Sequence, residues 1–360
     1  MAFIGGLGKS MTESPISHHT PKGGKPDAPS TDKPDAGSAQ QQKEMEAAYA
    51  NMKRKMAMQK MAEDIKHKIM VLSGKGGVGK STVATGLALS LASRGHSVGI
   101  LDIDITGPNV PKMLGLDKSR LDIDQGRINP TIGPSGIKVI SMAFLLEDED
   151  TPVVWRGPIK LGAIQQFIGD VNWGELDFMI IDFPPGTSDE PLTVTQSLSD
   201  IDGMVIVTTP QDVALMDSRK SINFGKSLKV KILGVIENMS GYTLQGRALD
   251  DSGSPVPNTV VEFMAPGGKK LTSTTDKDGN WSQTLDIFKV GGGEDTAADL
   301  EVPYLGKLPF DPGIVRGCDD GVHRILSEPE GDSAIAFSKL VDNLLLELDK
   351  SGAETSLKII

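Results

Sequence analysis

The chain of 360 residues contains one cysteine, Cys318. A single thiol excludes an intrachain disulfide and suits a reducing compartment, which points to the cytoplasm. It also excludes any metal site built from two or more thiolates of one chain. No apolar run approaches the ~20 residues that a membrane-spanning helix needs, so no stable membrane insertion is expected. A basic start followed by an apolar stretch is missing at the N-terminus, so no secretory signal is read. Excess positive charge is missing too. The 37 Lys and Arg face 48 Asp and Glu, a net charge of −11, which argues against a dedicated nucleic-acid binder. The remainder is ordinary for a globular protein: 38% hydrophobic residues and 41 glycines, unlike a collagen, a coiled-coil protein or a wholly disordered chain.

Composition changes along the chain. Residues 1–41 are rich in Gly, Pro, Ser, Asp and Lys, with five prolines between Pro15 and Pro34, and read as a disordered tail. Residues 42–68 read as an amphipathic helix. Met45, Tyr49, Met52 and Met56 recur at spacings of four and three, and seven basic residues stand against four acids. So narrow a row reads as a face packed on the helix's own domain. The alternative is contact with a membrane or a partner.

From residue 69 the rhythm becomes strand and helix in turn. Apolar runs at 69–72, 98–101, 178–181, 204–207 and 232–236 are separated by helical patterns, and 334–348 reads as a closing helix. Short continuous apolar strands of this kind predict an α/β fold, with a mostly parallel sheet of seven or eight strands flanked by helices. Residues 243–285 break the rhythm with Ser, Thr, Gly, Pro and Asp between alternating apolar positions. They read as a small β insertion, with a strand at 259–263 and a hairpin in which 271–275 and 281–285 flank Asp276-Lys277-Asp278-Gly279-Asn280. A calcium loop starting at Asp276 would need Glu at its twelfth position, where Ile287 stands. The α/β domain is thus expected to span 69–242 and 286–350, interrupted by the insertion.

Gly74-Lys75-Gly76-Gly77-Val78-Gly79-Lys80-Ser81-Thr82 follows a predicted strand and opens a predicted helix. This is a G-x-x-x-x-G-K-[ST] loop in the context that its chemistry requires. The glycines let backbone N–H groups turn toward phosphate oxygens, and the helix N-terminus adds partial positive charge. Lys80 would reach the β- and γ-phosphates of ATP, and the Ser81 hydroxyl would ligate Mg²⁺.

The second lysine, Lys75, gives the loop the form of the deviant Walker A motif of the MinD/ParA/nitrogenase-iron-protein class, which it resembles. That resemblance implies a homodimer in which Lys75 reaches the partner's nucleotide, as an arginine finger does in trans. Residues 101–111, including Asp102, Asp104, Gly107 and Pro108, resemble the switch I region. The resemblance makes Asp104 the residue that orients the attacking water beside the metal, with Asp102 in support. Asp182-Phe183-Pro184-Pro185-Gly186-Thr187 resembles switch II, with Asp182 as the acid that meets Mg²⁺ and Gly186 as a backbone phosphate contact.

Further segments narrow the resemblance. Trp155-Arg156-Gly157-Pro158, a run from Gln211 to Asp217, Glu237-Asn238-Met239-Ser240, Gly291-Gly292-Gly293 and Pro309-Phe310-Asp311-Pro312 follow in order. Together they resemble the Mrp/ApbC iron–sulfur cluster carrier ATPases over roughly 67–242 and 286–348. The resemblance implies slow ATP hydrolysis, transfer of clusters to apo acceptor or scaffold proteins, and an adenine contact at Asn238.

The pattern breaks at one point. Such carriers have a Cys-x-x-Cys just after the Asn-Met-Ser segment, and two pairs from a homodimer bridge one [4Fe–4S] cluster. Here Ser240-Gly241-Tyr242-Thr243 runs into Leu244 without a cysteine, and the thread resumes at Asp286. The intervening residues resemble a fragment of a carboxypeptidase-regulatory-like β-sandwich. Cys318 offers two thiolates per dimer, whereas the cluster needs four. The expected protein is an ATPase whose own cluster site is lost; the alternatives are a MinD/ParA-like switch or an interaction scaffold. An acidic closing helix, with Asp332, Asp342, Glu347 and Asp349 against Lys339 and Lys350, speaks against a lipid-binding C-terminus.

Overall fold

The computed structural model describes residues 36–145, 157–187, 189–198, 200–264, 268, 270–288 and 291–356. Residues 1–35 of the expected 1–41 tail and the Trp155-Arg156 pair lie outside them. In the first half, α1 (Ala36–Asp64), β1 (Ile65–Ser73), α2 (Lys80–Ser93), β2 (Val98–Asp102) and α3 (Val110–Met113) are followed by four short strands. These are β3 (Asp122–Asp124), β4 (Arg127–Asn129), β5 (Thr131–Ile132) and β6 (Lys138–Ser141). Then come α4 (Gly157–Gly169), β7 (Leu176–Asp182), α5 (Asp189–Ser197), β8 (Gly203–Thr208), α6 (Asp212–Ser227) and β9 (Ile232–Glu237). The irregular stretch holds β10 (Tyr242–Arg247), β11 (Val260–Met264), β12 (Lys270–Thr274) and β13 (Asn280–Leu285). The chain closes with α7 (Gly292–Asp299), β14 (Tyr304–Lys307), α8 (Pro312–Asp319), α9 (Arg324–Ser327) and α10 (Asp332–Ser356).

Eight strands form one sheet in the order β14-β9-β8-β1-β7-β2-β6-β5. Every pairing is parallel except β5 with β6. The central strands are apolar on both faces because helices cover both, and two buried clusters result. Valines and isoleucines fit that doubly buried setting. All the parallel strands end on one edge, so Ser73, Asp102, Asp182 and Glu237 come to the same rim. In an open parallel sheet that rim is where ligands bind.

Gly86 lets α2 approach α10 closely. A Cβ there would lie 2.2 Å from the Phe337 ring, and Phe337 is fully buried. Gly86→Val is therefore expected to destabilise the fold by about 1–3 kcal/mol, read as a lower midpoint in urea unfolding.

Two boundaries differ from expectation. The helix ends at Asp64, not at residue 68, because Ile65 and His67 pair with Leu176 and Phe178 of β7. Lys66 meets Asp177 at 2.6 Å, and the buried Lys68 donates to the Ile65 carbonyl at 2.8 Å, so this basic stretch is the start of a strand. The same helix begins earlier, at Ala36, inside the expected tail. Nor does its apolar row pack on the domain: Met45, Tyr49, Met52 and Met56 are all exposed, and Met58 and Met61 make the contact instead.

In the irregular stretch β12 and β13 are joined by a tight turn but do not form a ladder with each other. β13 pairs with β10, and β12 with β11, both antiparallel. Phe263 stacks on Trp281 between the two ladders, with centroids 5.1 Å apart. The alternating pattern fits either pairing, and this stacked contact favours two facing ribbons. Asp276 closes the turn by accepting the backbone N–H groups of Asp278 and Asn280, each at 2.8 Å.

Candidate nucleotide site

β1 delivers the chain to Gly74, and residues 74–79 turn back to open α2 at Lys80. Gly77 and Gly79 both sit at φ +81°, the left-handed region that glycine enters without strain. Gly79 also leaves room for Asn238: a Cβ would lie 2.2 Å from the Asn238 Nδ2. The loop borders a cavity of about 320 Å³, whose wall holds Lys75 and the rest of the loop through Thr82, with Asp104, Thr106, Gly107 and Pro185. Free N–H groups at the start of α2 give it an anion-binding end.

Beneath the loop the Lys80 ammonium lies 2.7 Å from Asp182 Oδ1, and the Ser81 hydroxyl donates to Asp182 Oδ2 at 2.6 Å. Lys80 and Asp182 are both buried. Burial raises the Asp182 carboxyl above its usual range, while the Lys80 charge opposes the rise. Asp102 is the register neighbour of Asp182 on the adjoining strand. Burial, and then the Asp182 charge, push the Asp102 carboxyl well up. It accepts from the Ser141 hydroxyl at 2.7 Å and the Asp104 N–H at 3.1 Å. Asp104 is buried at the cavity wall, where its Oδ1 accepts from Thr106 N, Thr106 Oγ1 and Gly107 N.

The rim thus gathers the loop, Asp104 and Asp182. Asn238 stands behind the loop, and its amide donates to the Val78 carbonyl at 2.9 Å. Gly186 donates its N–H to the Ser73 carbonyl at 2.8 Å. Lys75 forms no ion pair among the described residues, whereas Lys80 is engaged.

Three features went unread in the sequence. Ser141, which braces Asp102, arrives from β6. The Glu237 carboxylate, fully buried, accepts from Ser240 Oγ at 2.5 Å, Gly291 N at 3.1 Å and Gly293 N at 2.6 Å. It ties the departure of the β10–β13 module to its return, and the Glu237/triple-glycine spacing was its only sequence signal. Lys160 on α4 pairs with the buried Glu190 of α5. Burial lowers the Lys160 ammonium pKa, opposed by the charges of Asp104 and Asp189.

The site residues suit a magnesium nucleotide: an N–H cradle, a cation, and a hydroxyl and carboxylate converging from two elements. They do not suit an iron–sulfur cluster. Cys318 is buried on α8, where desolvation pushes its thiol up to about 11. No group of three or more His, Cys, Asp or Glu able to hold a metal exists among the described residues. A second cleft, of about 390 Å³, lies between β10 and residues 309–312 and 330–333, and its Arg324 is paired with Asp311 and Glu328. No helix among the described residues is long and apolar enough to cross a membrane.

A family model described as the ParA/NUBPL iron-transfer P-loop NTPases matches residues 64–250 and 275–345. The chain belongs to that family. The unmatched gap contains β11 and β12, so the outer ribbon of the module is outside the family pattern. The iron–sulfur cluster carrier protein of Saccharolobus solfataricus is 43% identical over 290 residues, covering 81% of this chain and 86% of the relative. The cytosolic Fe–S cluster assembly factor CFD1 of Kluyveromyces lactis is 43% identical over 309 residues, covering 83% and 97%. Among solved structures, a nucleotide-binding protein of Archaeoglobus fulgidus in complex with ADP is 31% identical at a TM-score of 0.57, covering 79% of this chain and 96% of that one. The septum site-determining protein MinD of Pyrococcus horikoshii, complexed with Mg-ADP, is 22% identical at 0.52 and is similar in fold alone. The family and its cluster-carrier relatives favour the carrier reading over a MinD-like switch.

Proposed function

We propose that this family member is an ATP-hydrolysing homodimer of iron–sulfur cluster assembly that works in the cytoplasm on clusters held by other proteins' thiolates. The observation that carries the reading is the coexistence of the Lys80–Asp182–Ser81 constellation with a single, buried cysteine. The ATP engine has its parts, and the cargo ligands are missing. Apo acceptor or scaffold proteins are then the partners.

The roles follow from the chemistry of each group. Backbone N–H groups of 76–82 hold the phosphate chain, and Lys80 neutralises β- and γ-oxygen charge. Ser81 and Asp182 are the residues to hold Mg²⁺, which when bound draws charge from the phosphate oxygens. Asp104 orients the attacking water. Its carboxylate, held by Thr106 and Gly107, has a fixed direction at the cavity wall. Asn238 contacts the adenine. Lys75, unpaired and at the mouth, supplies the partner's site with positive charge where the transition state develops negative charge.

The test is Lys75→Ala. ATP binding to the monomer stays near wild type, while kcat falls by about a thousandfold or more, the lower end of the range for a finger supplied in trans. Equal loss of binding and turnover would contradict the role across the dimer.

A further inference from the structure

Met45, Tyr49, Met52 and Met56 stand 71%, 68%, 58% and 62% exposed on α1. Their spacing of four, three and four keeps them on one face, the spacing of a seam between two helices. Nothing among the described residues covers them. The helix touches the domain through its last turns, at Met58 and Met61. A contiguous apolar row of this kind marks a contact surface.

Charge along the helix selects the occupant. Residues 43–46 carry one Lys and two Glu, net −1; residues 53–60 carry Lys53, Arg54, Lys55 and Lys60, net +4. A uniformly anionic surface would attract the second half and repel Glu44 and Glu46. A parallel copy would stack the two basic halves together. An antiparallel copy sets the acidic half of each helix against the basic half of the other.

We propose that α1 is a self-association helix, pairing antiparallel with α1 of a second copy through this row. In the two-fold register Met45 meets the partner's Met56 and Tyr49 meets the partner's Met52, each contact occurring twice. The C-terminal end of α1 lies at the opposite end of β1 from the nucleotide rim. α1 joins the sheet where β1 begins, whereas the phosphate loop follows the end of that nine-residue strand, about 30 Å away at the usual rise per residue. The row shares no residue with the nucleotide cavity, so pairing through it is expected without nucleotide and apart from the contact proposed for Lys75.

Sedimentation velocity of the full chain without nucleotide tests this. The chain is expected to sediment as a dimer. The double variant Met52→Glu/Met56→Glu is expected to weaken association by at least roughly tenfold while ATP turnover stays unchanged. These side chains are exposed, so the fold is preserved, which circular dichroism checks. Glu44→Lys/Glu46→Lys should weaken the dimer, and adding Lys53→Glu/Lys55→Glu to that chain should restore it. A monomer without nucleotide would overturn the proposal, as would a dimer indifferent to the methionine substitutions or a charge reversal that fails to restore pairing. Pelleting with phosphatidylglycerol vesicles that the methionine substitutions abolish, in a chain that does not self-associate, would assign the row to lipid instead. Loss of ATP turnover bears on the nucleotide reading alone and leaves these outcomes readable.

Discussion

Lys80→Ala is expected to abolish ATP turnover and to lower ATP affinity by at least about a hundredfold, as measured by titration calorimetry. Lys80 is the one cation within ion-pair distance of Asp182 among the described residues. Removing it takes away the charge proposed to meet the β- and γ-phosphates and leaves a buried carboxylate uncompensated. Breaking such a pair costs about 3–5 kcal/mol when the remaining group stays charged. Asp182 has a way out, because burial already raises its carboxyl and loss of Lys80 raises it further. The folded variant then binds a proton that the unfolded chain releases in the ordinary carboxylate range. With more protons on the folded form, stability falls as pH rises. The deficit of Lys80→Ala relative to wild type is expected to be smallest at acid pH and to grow toward neutrality, read from urea unfolding at several pH values. Unchanged ATP binding would refute the phosphate assignment, and a pH-independent deficit would refute the account of Asp182.

Anaerobic reconstitution with iron and sulfide is expected to leave the purified chain with almost no iron and no acid-labile sulfide. Four thiolates are the usual requirement of a [4Fe–4S] centre. A homodimer offers two, both from Cys318, and each thiol is buried with its pKa pushed up to about 11. Thiolate is the form that binds metal, so the environment opposes ligation as well as the count. About four irons and four sulfides per dimer would overturn this expectation. Adding a cysteine-bearing acceptor should bring iron into the mixture on the acceptor's thiolates, with this chain remaining iron-free after separation.

The parts of the site that were legible in the sequence are those written in consecutive residues. The phosphate loop needs its glycines, Lys80 and Ser81 within one strand-to-helix turn, and Asp102, Asp104 and Asp182 betray themselves as acids at the ends of apolar runs. The alternation of short apolar strands with helices likewise carried the parallel sheet. What could not be read are the contacts between distant segments. Ser141 braces Asp102 across 39 positions, Gly293 holds Glu237 across 56, and Lys160 finds Glu190 only after the chain has passed through β7. The start of β1 is hidden in the sequence because Lys66, His67 and Lys68 look like a charged helix face. Their strand geometry comes from β7, which follows much later. The pairing of β13 with β10 rather than β12 had the same cause: alternation sets which side a residue faces, not which neighbour it meets.

Tyr242 and Leu285 are opposite each other as the first pair of the β10–β13 ladder, and Glu237 holds Ser240 before the one and Gly291 and Gly293 after the other. The module therefore leaves the P-loop frame and rejoins it at a single point, like a bayonet fitting. Closing a loop there costs little more as the loop grows, about 0.6 kcal/mol for each doubling of its length. Length can therefore be added to or taken from the far end of the module, at β11 and β12, with little change in the cost of closing its base.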